Sequence, residues 1–524
     1  MGKERFVKYA LPISIFVFAF SFILLFPFYK YIFDLDSIGY SAIAERVANG
    51  NYFESINGLW SPLSSWLAVP FIKAGINTIT AFKYINGING ILLLLSTWHL
   101  LKKIAIADSL KAIILYTCVP VFLSYCFYEL CADFLLLIFF TMYLAQVCSD
   151  DFFYNSKRQW FCGIIAAFAY LAKAYFFPFF LAHFIIVNLY YYRNALSTDK
   201  VKKLIQNLMI GIGVFIVLSS PWIFALSEKY HYLTYSNAGK WNFYYELHPG
   251  TDYTKLLCPP PYADSYNFWD DPWQEYMLHF SPFSSLSTIM RQVKVLCLNT
   301  INSLPFFTEI SFLVLPILAG SIVLWVSKKL RREIPRNIFI CLIAALIMPS
   351  GYLLFHLETR YLWILSILCL LIGGYLITIA FNHFQFLQKQ KIIIVAVFVA
   401  SFLIGPILSL KNNVYGNREY YTIARALKSN NVKGKIICNY LNADQYAQLT
   451  MANVIAKNQF YTYSTLDFSV NDLQKAINEF GINYYIFNYT NTLEKEIFTS
   501  GEIYKKAIKV TDNIYPGMMV LELK

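Results

Sequence analysis

The stretch FDLDSIGY places two carboxylates, Asp34 and Asp36, directly after a long apolar run, LPISIFVFAFSFILLFPFYK. Similar placements recur along the chain. Glu129 and Asp133 stand in YELCADF, one helical turn apart and so on one helix face. Lys173 stands in AYLAKAYFFPF between two apolar runs, and His356, Glu358, Arg360 and Tyr361 fall together in HLETRY. Ionisable groups beside or within apolar helices are costly and mark a pathway or a site. A carboxylate can take a proton from an attacking hydroxyl. Lys and Arg can neutralise a departing phosphate, Arg best because its planar fork matches phosphate oxygens. Together these are the tools of group transfer away from a phosphate.

Each residue also has a plainer reading. Asp36 could be a helix N-cap, and Asp34 an interfacial acid. Glu129 and Asp133 could sit in structural ion pairs, and Lys173 could snorkel. His356 and Glu358 could be ordinary turn residues, and Arg360 a headgroup anchor. Their recurrence at one set of boundaries is harder to explain one residue at a time.

The elements that position them are apolar helices. The chain has 524 residues, 57% hydrophobic and only 14% charged. A soluble chain of this length carries nearer a quarter charged residues, so this is a polytopic membrane protein. The first apolar run is longer than a signal-peptide core of about 7–15 residues, and no small-residue cleavage site follows it, so it reads as a retained span. The net charge of +12 lies in short loops between apolar segments, which is what membrane orientation produces and not a nucleic-acid footprint.

About eleven runs are long enough to span: roughly 8–31, 80–101, 109–127, 130–149, 159–173, 175–192, 204–226, 304–327, 337–355, 361–381 and 392–410. Basic residues flank alternate connections: Lys3 and Arg5; Lys102 and Lys103; Lys157 and Arg158; Arg193, Lys200, Lys202 and Lys203; SKKLRRE with Arg336; Lys389 and Lys391. All of these fall on one side, which puts the N-terminus in the cytoplasm. The other side, periplasmic or extracellular at a plasma membrane, then holds the acids and bases above, a first loop at 32–79, a long loop at 227–303 and the tail. No internal repeat and no discontinuous midplane helix is evident.

The expected organisation is a transmembrane unit over 1–410 and a small extracytoplasmic α/β domain over 411–524. In the tail, NREYYTIARALKSNN, ADQYAQLTMANVIAK and VNDLQKAINEFG read as helices and KIICNY and NYYIFNY as strands. In the first loop, DSIGYSAIAERVANG and SPLSSWLAVPFIKAG read as helices lying along the interface, with Trp60 and Trp66 at that level. There are ten cysteines with no metal-ligand spacing. Those in apolar runs (Cys118, Cys126, Cys131, Cys148, Cys162, Cys341 and Cys369) read as small buried hydrophobes. Cys258 and Cys297 share the long loop and could pair if it is extracytoplasmic.

Several of these segments, in order from about residue 8 to 410, resemble the GT-C superfamily of integral-membrane glycosyltransferases. The likeness is greatest to family 39-like enzymes that use polyprenyl-phosphate sugars, the mannosyltransferase and aminoarabinose transferase types. DSIGYSAIAERVANGNY looks like the acidic first outer loop, and GLWSPLSSWLAVP like the second interfacial helix. YELCADFLLLIFF looks like the acidic start of the fourth span, and GIIAAFAYLAKAYFFPFF like the stretch that carries a lysine. PWIFALSEKYHYLTYSNAG looks like the exit from the seventh span, and HLETRYLWI like the late R-Y motif.

By that resemblance Asp36 is the catalytic base, with Asp34 a second candidate. Glu129 and Asp133 position the acceptor or support the base. Lys173 and Arg360 hold the lipid phosphate with His356 and Tyr361 nearby. Tyr40, Trp60 and Glu358 are candidate sugar contacts. Ser37 stands where the family often has a second acid, so no metal or acceptor role carries over to that position. The implied reaction is a single inverting displacement, from a polyprenyl-phosphate sugar to a hydroxyl on a lipid, glycan or protein, with no nucleotide cofactor and metal dependence open. The text DLD also matches a metal–nucleotide motif of soluble glycosyltransferases, but nucleotide sugars are cytoplasmic and this motif falls on the other side. A flippase or transporter for a lipid-linked sugar, a glycan ligase and a receptor-like protein remain as alternatives. In the long loop, Trp241, Trp269 and Trp273 could stack on sugar faces or form an interfacial aromatic belt.

Overall fold

The structure is a computed structural model that describes residues 2–128, 130, 132–195, 199–247, 259–273, 275–327, 334–439, 443–463, 470–487, 504–509 and 519–523. Glu129, Cys131 and Cys258 therefore lie outside the described residues, and with them the expected role of Glu129 and the Cys258–Cys297 pairing.

Lipid offers the backbone no hydrogen-bond partners, so apolar runs satisfy their own amides as helices. Helix α1 (Gly2–Lys8) leads into α2 (Ala10–Tyr29), then α3 (Asp36–Asn49) and α4 (Leu63–Lys73). The bundle continues with α5 (Thr78–Leu101), α6 (Asp108–Tyr128), α7 (Ala132–Val147), α8 (Ser156–Ala172), α9 (Phe176–Asn194) and α10 (Lys200–Tyr230). After α11 (Ala238–Leu247) come α12 (Leu286–Ile310), α13 (Val314–Val326), α14 (Arg336–Tyr352), α15 (Trp363–His383) and α16 (Gln388–Asn412).

All eleven apolar runs contain helix, but length and composition alone qualify fewer as spans. Among the described residues these are α2, α5, α6, α10, α15 with its preceding turn, and α16, plus a seventh if α12 and α13 are taken together. Helices α7 and α14 are apolar but shorter. The chain is thus an integral membrane protein.

The run expected as one span at 304–327 is instead two helices, α12 and α13, bent by 107°. Helix α12 begins at Leu286, inside what the sequence suggested was loop, so a discontinuous helix is present after all. The break falls at Ser311, whose hydroxyl donates to Ser401 of α16 at 2.8 Å. A Cβ on Gly405 of α16 would lie 1.8 Å from the Glu309 carbonyl oxygen. Only glycine lets α16 pack this closely against the end of α12.

Helices α3 and α4 pack together in the first long connection, where Ser65 donates to the Tyr40 carbonyl at 2.8 Å. Helix α3 ends at Gly50, whose φ of 88° forms a left-handed cap.

The tail forms α17 (Arg418–Ser429), α18 (Ala443–Ala456) and α19 (Val470–Phe480) around β1 (Lys435–Asn439), β2 (Gln459–Tyr463), β3 (Tyr484–Phe487), β4 (Tyr504–Lys509) and β5 (Met519–Leu523). The strand order is β2-β1-β3-β5-β4. Strands β2, β1 and β3 run parallel, and β5 pairs antiparallel with both β3 and β4. Ile436, Cys438, Phe460 and Ile486 of the sheet bury against Ile423 and Leu427 of α17 and Leu449 of α18. This unit is anchored to the bundle. Asn417 donates to the Phe33 carbonyl at 2.6 Å, and Lys457 pairs with Glu45 of α3 at 2.7 Å. The Phe460 amide donates to the Tyr266 carbonyl at 2.6 Å, joining edge strand β2 to the connection between α11 and α12.

Candidate active site

Asp34 lies in the short link after α2. Its carboxylate accepts from the Ser37 amide at 3.0 Å and from the Ser37 hydroxyl, which turns the chain into α3. Asp36 is the first residue of α3, where the helix dipole favours a negative charge. Its side chain does not cap the helix, as the plainer reading suggested. It accepts instead from the Arg360 guanidinium.

Arg360 sits in a tight turn, Thr359–Leu362, just before α15, and its side chain is only 5% exposed. The same guanidinium donates to Asp34 at 3.1 Å. It also meets Glu358, Nε to Oε2 at 2.7 Å and Nη2 to Oε1 at 3.1 Å, and its Nε is 4.0 Å from Asp133. One buried cation is thereby ringed by four carboxylates. Asp133, near the start of α7, binds Lys173, which ends α8 in an extended conformation. The Lys173 ammonium also lies 4.0 Å from the Tyr361 ring centre, and Tyr361 stacks on Tyr352 at 4.4 Å.

This crowding sets the protonation. Burial pushes Asp36 up to about 6; Arg360 pulls it down, and Asp34 and Glu358 push it up again. Burial would also raise Glu358, but hydrogen bonding from His356 and the charge of Arg360 outweigh it and hold it down at about 2. His356 lies between Glu246 at 3.5 Å and Glu358 at 3.1 Å. Those two partners, Glu246 first, raise it to about 9 against the effect of burial, so it is an imidazolium at neutral pH.

Two cavities meet at this cluster. The first, about 430 Å³, is lined by Lys173, Asp133 and Tyr352 together with apolar residues such as Pro178, Phe179 and Ile347. The second, about 290 Å³, is lined by Trp241, Tyr245, Trp269, Glu246, His356 and Glu358. Asp36, Trp60 and Tyr361 border both. Tyr40 borders only the first, and Arg360 and Asp34 line neither. The Trp60 indole donates to the Trp269 carbonyl at 3.2 Å and covers Gly39, where a Cβ would lie 2.0 Å from the Trp60 Nε1. The glycine of DSIGY is there to admit that ring.

The sequence thus located Asp34, Asp36, Asp133, Lys173, His356, Glu358, Arg360, Tyr361, Tyr40 and Trp60, and the fold gathers them. Of the three tryptophans suggested as sugar platforms, Trp241 and Trp269 line the second cavity, whereas Trp273 packs against Tyr230 and Tyr232. Sequence reasoning missed Glu246 and Tyr352, which carry no spacing signal. It also missed the Arg46 cluster: Arg46 of α3 pairs with buried Asp270 at 3.0 Å and with Asp264 at 3.1 Å, fixing the segment that carries Trp269. Lys83, wholly buried in α5, donates to the Phe127 carbonyl at 3.0 Å, and only its presence inside an apolar run hinted at it. Among the described residues no group of three or more His, Cys, Asp or Glu could hold a metal ion.

No family model and no curated protein matches this chain in sequence. Solved structures do match in fold. ArnT from Cupriavidus metallidurans in the apo state superposes with a TM-score of 0.57 at 11% identity, over 99% of this chain and 98% of that one. The same protein bound to undecaprenyl phosphate gives 0.55 at 11% identity, over 98% and 97%. The Archaeoglobus fulgidus oligosaccharyltransferase, in complex with Zn and sulfate, gives 0.55 at 10% identity, over 91% of this chain and 67% of that one. The chain has the GT-C fold of membrane glycosyltransferases.

Proposed function

We propose that this protein is a membrane glycosyltransferase that moves a sugar from a polyprenyl-phosphate donor to an acceptor hydroxyl on the outer face of the membrane. The observation that carries this reading is the position of Asp36, a residue that borders both cavities. The first cavity, apolar with a lysine at its head, suits a lipid phosphate. The second, lined by Trp and Tyr rings, suits the faces of a sugar acceptor. The undecaprenyl phosphate in the Cupriavidus metallidurans protein of the same fold supports the donor class.

In the proposed reaction Asp36 takes the proton of the acceptor hydroxyl as its oxygen attacks the anomeric carbon. The bond from that carbon to the phosphate oxygen breaks, and the electron pair leaves with the polyprenyl phosphate. Attack from the opposite face inverts the anomeric centre. A base whose pKa lies near the working pH is well matched to this step, and burial gives Asp36 that property. Lys173 meets the phosphate charge from the wall of the first cavity. Arg360, which the resemblance gave to the phosphate, is engaged by Asp34, Asp36 and Glu358, and we assign it to orienting the base. The GT-C fold and two cavities of different lining that meet at Asp36 favour transfer over flipping.

Mass spectrometry of lipid-linked sugars and envelope glycans tests the proposal, comparing cells with and without the protein. Loss of one sugar from a glycan, with accumulation of a polyprenyl-phosphate monosaccharide, is the expected outcome. Accumulation confined to the cytoplasmic leaflet and unaltered by Asp36→Asn would overturn it in favour of a flippase.

A further inference from the structure

A larger cavity lies away from the carboxylate cluster. It is a groove of about 660 Å³ between α5 and α7, and it shares no lining residue with the two cavities at Asp36. On α5 it is lined by Ile85, Ile88, Leu92, Leu95 and His99, three or four residues apart and so on one helix face. Ile138, Met142 and Gln146 form the matching stripe on α7. Leu92, Leu95 and Met142 are 44%, 41% and 39% exposed, so the groove opens sideways toward the hydrocarbon. From Ile85 to His99 it follows ~21 Å of helix at 1.5 Å per residue, longer than the ~15 Å depth of one leaflet's hydrocarbon.

The two ends differ. At the site end, Leu67 and Phe71 of α4 close the groove with apolar side chains. At the far end stand His99 and Gln146, and Gln146 accepts from Arg158 at 2.9 Å. Lys102 and Lys103 follow His99 by three and four residues, about one further turn of chain. Asp151 takes up much of the Arg158 charge through a 2.6 Å ion pair, and Asp150 pairs with Arg336. Among the described residues neither Lys102 nor Lys103 forms an ion pair.

We propose that this groove is a binding site for an anionic phospholipid of the leaflet at the Lys102–Lys103 end. One acyl chain lies between α5 and α7, and the phosphate rests against the two lysines. The groove is long enough to hold one chain over the full depth of its leaflet, and the cationic end fits the headgroup. The charged end excludes the sugar donor as the resident. On the reading above, a donor presents its phosphate at Lys173, which pairs with Asp133 at the start of α7, whereas Gln146, at the groove's cationic end, stands near the end of that helix. A juxtamembrane lysine strengthens the hold on an anionic lipid by about fivefold. The choice of phospholipid over donor rests on the glycosyl-transfer reading, but the test below reads lipid retention and no transfer, so the two can fail separately.

The test uses the full-length protein in nanodiscs of equal parts phosphatidylglycerol and phosphatidylcholine, extracted gently and read by native mass spectrometry. We expect one retained phospholipid, phosphatidylglycerol over phosphatidylcholine by about tenfold or more. Replacing Lys102→Gln and Lys103→Gln should reduce that preference by about fivefold each, and Leu92→Trp should expel the lipid by filling the groove. The two lysine variants lie at the end of the helix, so they test the site even if the tryptophan variant folds poorly. Equal retention of the two lipids, an unchanged preference in both lysine variants, or a polyprenyl phosphate retained in place of phospholipid would each overturn the proposal.

Discussion

Asp36 and Arg360 are 324 residues apart in the chain, and the guanidinium of one donates to the carboxylate of the other. The contact joins the first turn of α3 to the turn that opens α15. It brings the two halves of the bundle to one point, where both cavities end on Asp36.

Removing Arg360 should therefore act on both stability and chemistry. Arg360→Gln leaves Asp34, Asp36, Asp133 and Glu358 facing one another with their shared cation gone. Breaking a buried pair from one side costs ~3–5 kcal/mol. The cation also lowers the Asp36 pKa, so its loss should move the acid limb of the transfer profile upward in pH. Thermal unfolding and a pH–rate series on the variant check the two effects.

Lys173 is expected to govern donor affinity. Lys173→Met should weaken undecaprenyl phosphate binding by about tenfold or more, because the first cavity then has a carboxylate, Asp133, without its ammonium partner. Lys173→Arg should keep a substantial part of the affinity, since the charge remains. Titration of the purified protein with undecaprenyl phosphate measures both.

His356 gives a pH signature of stability. Its pKa is raised by Glu246 and Glu358, so its contribution is complete below the unfolded value near 6.5 and is lost as pH rises through about 9. Protection factors, which divide out the base-catalysed rise in intrinsic exchange, should fall across α11 and residues 354–358 between pH 7 and 9.5, and His356→Gln should abolish that fall. The imidazole is 46% exposed, so the effect is local and not a global loss of stability.

Much of this site was legible in the sequence, and the reason is physical. Charges at the ends of apolar helices stand out, which is why Asp34, Asp36, Asp133, Lys173 and Arg360 were found. Glu246 was not found and Trp269 was named only as a ring that could stack on sugar, because the connection between α10 and α12 is positioned by contacts distant in sequence, among them the Arg46–Asp270 pair and the Trp60–Trp269 hydrogen bond. The Trp269 indole donates to Tyr446 of α18 at 2.8 Å, a contact across 177 residues that no local pattern announces. The break between α12 and α13 was hidden because the apolar composition continues through Ser311. In the tail, β1, β3 and the helices were visible from alternation and amphipathicity. Strands β2, β4 and β5 were not, because polar residues interrupt their apolar pattern.

Gly39 offers a separate check on the geometry between the cavities. Gly39→Ala puts a methyl 2.0 Å from the Trp60 Nε1 and should cost ~1–3 kcal/mol through overpacking. Trp60 must then shift against Trp269, so acceptor use should suffer more than undecaprenyl phosphate binding. Unfolding midpoints and the two binding assays separate these outcomes.

The role of Asp36 as base is tested most directly by the pH dependence of transfer in proteoliposomes, with the native donor found by mass spectrometry, for the wild type and for Asp36→Asn. The wild-type rate should fall as pH drops through about 6, where Asp36 takes up its proton, and Asp36→Asn should lose 10²–10⁴-fold while folding normally. A folded Asp36→Asn protein that transfers at the wild-type rate, with the same pH profile, would contradict the assignment of Asp36 as the base.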